Sequence, residues 1–272
     1  MIYFSMGYWV LGLSILVSMA GALMGLICVR QSTKSVTAKF RMVWLASAAV
    51  SIGGIGTWLA VFVSMLGVEP SGDTLIRYDV TRLTAAAVLA VVSVFAGLVT
   101  AGRAPALLRL VGSGVLIGVG SSLAMALGMS AVRIRGELET NVFAILAATL
   151  LAIGIAVATL WFALGRRSAL TVVGAAALFG LAVAGTHFVR MAGVEMVLDP
   201  RAATPEGDDL FSFLVPMFVV GTLSLSVPIT AVLVAPDRRT ATDPVAAPAR
   251  QPEPPRQSAP FPARDRQPQF TR

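Results

Sequence analysis

Charged side chains are scarce in this 272-residue sequence. They make up 13% of the chain, whereas 56% of its residues are apolar. Ordinary soluble domains carry roughly 25% charged residues, because water must solvate their surface. The shortage excludes an ordinary water-soluble globule and indicates a chain whose main solvent is lipid.

Cysteine and histidine are also nearly absent, with one residue of each. Because Cys28 is alone, the chain has no intramolecular disulfide and no Cys-x-x-Cys motif for metal or redox chemistry. Because His187 is alone, an all-histidine metal site within one chain is excluded. The sequence also has no P-loop, no dinucleotide-binding fingerprint and no Gly-x-Ser-x-Gly elbow. We therefore predict that the protein is not an enzyme.

Long apolar runs, by contrast, fill most of the chain. A hydrocarbon core of about 30 Å is crossed by roughly 20 helical residues, and seven runs have about that length. The predicted fold is all-α, a polytopic membrane protein with seven transmembrane helices. The predicted spans are 6–29, 42–66, 83–101, 110–132, 141–164, 168–189 and 210–235.

Basic residues are concentrated in alternate loops, which predicts the orientation of the chain. The loops after the first, third and fifth helices contain no acidic residue, and loops rich in Lys and Arg stay in the cytoplasm. Their basic residues are Arg30, Lys34, Lys39, Arg41, Arg103, Arg109, Arg166 and Arg167. We expect an outer N-terminus and a cytoplasmic C-terminus. The net charge of +7 then reflects membrane topology, and we expect no nucleic-acid partner.

The composition changes abruptly at residue 236, where the apolar runs end. Nine of the last 37 residues are proline, and such a segment buries too little apolar surface to offset the entropy cost of ordering it. We predict a disordered cytoplasmic tail over 236–272. The stretch 252–255, Pro-Glu-Pro-Pro, fits the spacing of polyproline ligands and allows a cytoplasmic protein partner. A plain flexible tail is the alternative reading.

The membrane region contains an internal repeat, which is marked by Met65, Met129 and Met191. Eleven residues before each methionine is a glycine, and nine residues before it is Gly, Gly or Ala. The glycines are Gly54, Gly118 and Gly180 at the first position and Gly56 and Gly120 at the second. The repeat predicts three helical hairpins within 1–209, followed by a seventh helix at 210–235. We assign these five glycines to helix packing and expect their stripe to face the middle of the bundle.

The three segments 54–65, 118–129 and 180–191 resemble the repeats of the MHYT domain, a bacterial integral membrane sensor domain. That family is named for a Met-His-Tyr-Thr motif that occurs three times. The resemblance implies a multi-pass protein of the bacterial plasma membrane, with the motifs near the outer face and a cytoplasmic C-terminus. It also implies copper as a cofactor and a diatomic gas or a redox change as the signal.

The sequence departs from that family at the positions of the proposed copper ligands. The motif histidine corresponds to Val61, Met125 and His187, so that two of three imidazoles are missing. Thioether and imidazole ligands favour Cu(I), so one interpretation of these residues is a metal site with soft ligands. Its candidate ligands are His187, Met191, Met125, Met129 and Met65. The other interpretation is that these methionines only fill space in the packed interior. Arg190 stands where the family has glycine; it would repel a cation, and we expect it to extend to the outer interface.

Together these features predict a non-catalytic sensory or signalling scaffold of MHYT type, with a degenerate copper or redox site near its outer face. Two alternatives stay open. A small-solute transporter or channel component would place broken helices and ionisable groups at the bilayer midplane. A structural membrane partner of another protein would need only the scaffold.

Overall fold

The computed structural model describes residues 2–3, 7–65, 68–69, 76–103, 106–165, 168–198 and 204–234. The predicted tail, 236–272, lies outside these residues. The chain divides into two units, Met1–Val232 and Leu233–Arg272. The first unit contains all the helices except the last two residues of the seventh.

The described residues form seven helices, which confirms the predicted fold class. They are α1 (Trp9–Lys34), α2 (Ala38–Met65), α3 (Val80–Ala101), α4 (Leu107–Met129), α5 (Val142–Leu164), α6 (Ala169–Met191) and α7 (Leu210–Val234). The first six are long and apolar enough to cross a membrane, and α7 contains the shorter apolar stretch Leu214–Thr230. Many large apolar side chains on these helices are exposed, as expected for surfaces that face lipid.

The helix ends differ from the predicted spans mainly at α1 and α2. Helix α1 continues beyond the predicted residue 29 to Lys34, and α2 starts at Ala38 instead of residue 42. Apolar runs mark the part of a helix that lies in lipid, while capping residues mark where a helix begins. Thr37 caps α2 by accepting a hydrogen bond from the backbone N–H of Phe40 at 3.4 Å. Polar residues therefore extend both helices beyond the hydrophobic segment.

Helices α1 to α6 form a closed ring. Each helix packs against the next one along the chain, and α6 packs against α1. The three predicted hairpins, α1–α2, α3–α4 and α5–α6, are thus arranged in order around the ring. Helix α7 packs against α2, where a Cβ atom built on Gly221 would lie 2.9 Å from Cδ2 of Leu59.

The middle of α2 is a π-helix over Val50–Leu59, which the sequence analysis did not predict. In this wider helix Thr57 Oγ1 donates to the carbonyl oxygen of Ile52, at 2.9 Å. Two serines of α1 support the segment: Ser18 Oγ donates to Gly56 O at 2.5 Å and Ser14 Oγ to Ala60 O at 2.7 Å. Such segments are rare and frequently lie at functional sites.

Short strands join the loops at one end of the ring, which we call the capped end. They are β1 (Ile2–Tyr3), β2 (Val68–Glu69), β3 (Arg77–Tyr78), β4 (Val132–Arg133), β5 (Gly136–Thr140) and β6 (Val194–Leu198). They pair antiparallel as β1–β2, β3–β4 and β5–β6. The pair β3–β4 joins the α2–α3 loop to the α4–α5 loop, and the pair β5–β6 joins the α4–α5 loop to the segment after α6. The opposite end, which we call the short-loop end, has the connections 35–37, 102–106 and 165–168.

Asp79 connects β4 with the start of α3 at the capped end. Its carboxylate accepts a hydrogen bond from the backbone N–H of Arg82 at 3.2 Å and one from Arg133 Nη2 at 3.1 Å. The backbone hydrogen bond, followed by the one from Arg133, lowers the pKa of Asp79 below its usual 3.8. The side chain is therefore charged at neutral pH.

Candidate ligand cavity inside the helical ring

The repeat glycines lie at the seams between neighbouring helices. The atoms nearest to a Cβ built on Gly54, Gly118 or Gly180 belong to the next helix around the ring. These neighbours are Val91 on α3, Ile153 on α5 and Ile15 on α1, respectively. Gly56 and Gly120 instead face the preceding helices, α1 and α3. In each of the three hairpins, the repeat glycine therefore lies at a seam with the next helix.

A cavity of about 70 Å³ lies within the ring, and we call it the inner cavity. Residues of α2, α3, α4, α5 and α6 line it, and most of them are apolar, such as Val94, Leu98 and Ile117. None of the described glycines belongs to this lining, and the repeat glycines face neighbouring helices, which corrects the expectation that the glycine stripe faces the middle of the bundle. Small residues are used where two backbones must approach closely, and that need arises at the seams.

Equivalent positions of the three repeats meet at the inner cavity. Val61, Met125 and His187 all line it, and these are the positions to which the motif histidine corresponds. The residues four positions earlier, Thr57, Ser121 and Val183, line it as well. The repeat therefore places two layers of equivalent side chains around one space.

His187 is the buried imidazole of this cavity. The residue is 3% exposed, and within the described part of the chain its Nε2 atom has no hydrogen-bond partner. A buried polar atom without a partner costs free energy, so such atoms call for an explanation in a native fold. A ligand in the inner cavity would supply the missing partner.

Arg190 is the buried cation of the same cavity, one helical turn beyond His187. It is 6% exposed, which corrects the expectation that its side chain reaches the outer interface. Its Nη1 atom is 3.4 Å from the main-chain oxygen of Ser122 and 3.5 Å from Ser122 Oγ, both at the long limit for hydrogen bonds. The ion pairs of the described residues join Asp79 to Arg82 and to Arg133. No described carboxylate lies within the 4.0 Å pairing distance of Arg190.

A second, larger cavity of about 720 Å³ lies at the capped end, and we call it the vestibule. Residues of α4, the α4–α5 loop and the loop after β6 line it, among them Met129, Arg133 and Glu206. Arg190 lines both the vestibule and the inner cavity. This guanidinium group therefore stands at the boundary between the two spaces.

The five predicted metal ligands are divided among three surroundings. His187 and Met125 line the inner cavity, and Met129 lines the vestibule. Met65 and Met191 are buried in an apolar cluster near the capped end, against which Met129 also packs. Only two of the five donors thus share the inner cavity, and they share it with a cation. The copper site stays a prediction.

The chain was compared with family models, curated proteins and solved structures. Residues 54–114 match the MHYT family model. Its description is "Bacterial signalling protein N terminal repeat". The match begins at Gly54, the first glycine of the repeat, and runs through α3 into α4, which confirms the predicted resemblance over these residues. No curated protein and no solved structure matches the chain. Together with the apolar helices, the match indicates a bacterial multi-pass membrane protein of the signalling class.

Neither Arg190 nor Ser122 belongs to the set of site residues that the sequence predicts. For the predicted copper site, Arg190 is only an unfavourable charge. An ionisable residue inside a membrane helix is a signal of function in its own right, but Arg190 lies one residue beyond the predicted span 168–189, and only the longer helix α6 (Ala169–Met191) includes it. Ser122 gave no comparable signal, because serine is common in membrane helices and its neighbour across the ring is known only from the fold.

Proposed function

We propose that the protein is a non-catalytic membrane sensor whose inner cavity receives the signal. The observation that carries this proposal is that equivalent positions of the three repeats line one cavity, and that one of them is a buried imidazole whose Nε2 has no hydrogen-bond partner among the described residues. A purely structural ring would gain stability by filling that space with apolar side chains. The MHYT match over 54–114 supports the same class of function.

Helix α2 is the element best suited to transmit the signal. Its π-helical segment lines the inner cavity through Ile52 and Thr57, and the helix runs from there to Ala38 at the short-loop end. Such segments frequently lie at functional sites, and a sensor needs two helix arrangements whose balance a ligand shifts. We propose that the capped end is outside, that the short-loop end is cytoplasmic, and that the signal passes to a protein partner that binds the tail.

Filling the cavity should move the short-loop end even without a ligand. Ala148 lines the inner cavity and is 2% exposed, so Ala148→Leu should mimic occupancy. Its neighbour Ala147 is exposed, and Ala147→Leu is the matched control. Spin labels at Phe40→Cys and Leu170→Cys, both exposed residues, would report the distance between the ends of α2 and α6 by pulsed electron paramagnetic resonance. Cys28, the single native cysteine, is buried and should remain unlabelled.

We expect Ala148→Leu to shift the label distance distribution or to add a second population, and Ala147→Leu to leave it as in the wild type. Identical distributions in all three proteins would contradict the proposal that the cavity is coupled to the short-loop end. A shift in both variants would show that added volume on α5 acts through lipid contacts, which also contradicts it.

The transporter alternative finds less support in the cavity lining. Leu98, Leu160 and Ala163 line the part of the inner cavity toward the short-loop end, together with Thr159, and this mostly apolar wall disfavours the passage of a polar solute. A transporter places its polar groups along a route through the bilayer. His187 and Arg190, the ionisable residues of the inner cavity lining, lie toward the capped end, which suits a receptor open to one side.

The copper prediction has a direct test by metal analysis. The purified chain is loaded with Cu(I) under anaerobic conditions and washed with a mild chelator, and the copper per chain is measured. If the predicted soft site forms, the wild type retains about one copper per chain. His187→Ala then loses it, and Met24→Leu, a control outside the predicted set, does not. Retention near zero in the wild type would remove copper from the proposal.

A further inference from the structure

The inner cavity contains a cation for which the described residues provide no counter-ion. The Arg190 side chain is buried, and its only described hydrogen bonds are the two long ones to Ser122. Glu206 lines the vestibule and not the inner cavity; it is exposed and forms no ion pair with Arg190 in the described part of the chain. Burying an unpaired charge is costly, so buried charges are normally paired.

We propose that the inner cavity binds a short-chain monocarboxylate, with its carboxylate on Arg190 and its hydrocarbon chain against the apolar wall. The guanidinium group presents a planar fork of donors that matches a carboxylate. His187 and Ser122 line the same cavity. The Ser122 hydroxyl donates to Thr149 Oγ1 at 2.6 Å, because the Thr149 hydroxyl itself donates to Ile145 O. The further hydrogen bond to the carboxylate therefore comes from His187 Nε2, which has no partner among the described residues. The site rests on the sensory cavity proposed above and names the class of its ligand.

The size and the lining of the cavity limit the ligand. About 70 Å³ is the space of about two water molecules at roughly 30 Å³ each, and about 150 Å³ is known to admit benzene. On that scale the inner cavity holds about three non-hydrogen atoms, so a hydrocarbon chain of one or two carbon atoms fits inside it while the carboxylate lies at the boundary with the vestibule, which Arg190 also lines. The apolar residues Val94, Ile117 and Val183 line the remaining wall. They favour an organic anion over a hydrated inorganic one, because they cannot replace the water around a small inorganic ion.

The vestibule provides the route of entry. It is the larger space, and Arg190 lines both cavities, so an anion that enters the vestibule meets the guanidinium group first. Arg133 also lines the vestibule but is exposed and pairs with Asp79. Arg133 is therefore a matched control: it is an arginine of the same entrance that has its own carboxylate.

The test is a titration of the full chain in lipid nanodiscs with sodium propionate, followed by saturation-transfer difference NMR with empty nanodiscs as the blank. We expect saturable binding to the wild type. Arg190→Gln should weaken it by about tenfold or more, because a charge-assisted pair is lost. Ser122→Ala, which removes one hydrogen-bond acceptor of Arg190, should weaken it less than Arg190→Gln does, and Arg133→Gln should leave it unchanged. Arg190→Lys keeps the charge but not the planar fork of donors, so it should give an intermediate affinity. That result would show that the weaker binding of Arg190→Gln is not due to a failure to fold.

Three results would overturn the proposal: no saturable binding by the wild type, equal affinities of wild type and Arg190→Gln, or displacement of propionate by equimolar chloride. The last would indicate a plain anion site instead of a carboxylate site. The label-distance experiment keeps the two proposals separate. If Ala148→Leu moves the labels and propionate does not bind, the sensor proposal stands without this ligand. If propionate binds and the labels do not move, the site stands without the coupling.

Discussion

Gly118→Ala should lower the free energy of unfolding by about 1–3 kcal/mol, the usual cost of overpacking a filled interior. A Cβ atom at Gly118 would lie 2.5 Å from the Cα atom of Ile153 on α5. That neighbour is backbone, so it cannot move aside by changing a rotamer. The two helices must therefore separate, which breaks the seam between α4 and α5.

Gly112 on the same helix is the matched control. Nothing lies within 4 Å of a Cβ atom built there. Alanine is a better helix former than glycine by up to about 1 kcal/mol in water, so Gly112→Ala should be neutral or slightly stabilising. Thermal unfolding of both variants in the same detergent, followed by tryptophan fluorescence, measures the difference. Equal unfolding temperatures would mean that α4 and α5 are not in backbone contact at Gly118.

The equivalent glycines give a graded version of the same prediction. A Cβ on Gly180 would lie 2.9 Å from the carbonyl oxygen of Ile15, whereas one on Gly54 would meet only the side chain of Val91, at 3.3 Å. Alanine should therefore cost less at Gly180 than at Gly118, and least at Gly54, where a valine methyl group can give way. This order follows from contacts between helices, although the sequence repeat makes the three positions look alike.

The sequence predicts the helices and the repeat well because both follow from local properties. A run of about 20 apolar residues is sufficient to indicate a membrane helix, and the spacing of Met65, Met129 and Met191 is visible without any fold. The π-helical segment of α2 could not be predicted in this way. It depends on hydrogen bonds from Ser14 and Ser18 of another helix, which no local pattern contains.

The strands and the candidate site show the same limit. Strands β3 and β4 are two residues each, too short for any alternation of apolar and polar residues, and they form because two loops meet at the capped end. The sequence identified His187 and Met125 as chemistry-bearing residues, and both line the inner cavity. It assigned Arg190 to the outer interface, because the partner that draws the side chain inward, Ser122, lies 68 positions away on another helix.

The last prediction concerns the free-energy cost of burying His187 Nε2 without a hydrogen-bond partner among the described residues. In the absence of ligand, His187→Met should raise the free energy of unfolding by about 1–2 kcal/mol, because a buried polar atom without a partner costs about 1–3 kcal/mol. The equivalent positions of the other repeats contain Val61 and Met125, so an apolar side chain already fits this layer of the cavity. Met125→Leu, which conserves volume, is the control and should change stability by less than about 1.5 kcal/mol.

A ligand should reduce the gain in stability that we expect for His187→Met. Propionate, if it hydrogen-bonds to His187 Nε2, stabilises only the wild type through this atom, so its addition should narrow the difference between the wild type and His187→Met. Thermal unfolding with and without propionate measures both effects in one series. A less stable His187→Met protein in the absence of propionate would mean that Nε2 already has a partner, and the argument for a ligand at this imidazole would fail. A stabilised variant whose advantage shrinks with propionate would tie the imidazole to ligand binding instead of to packing.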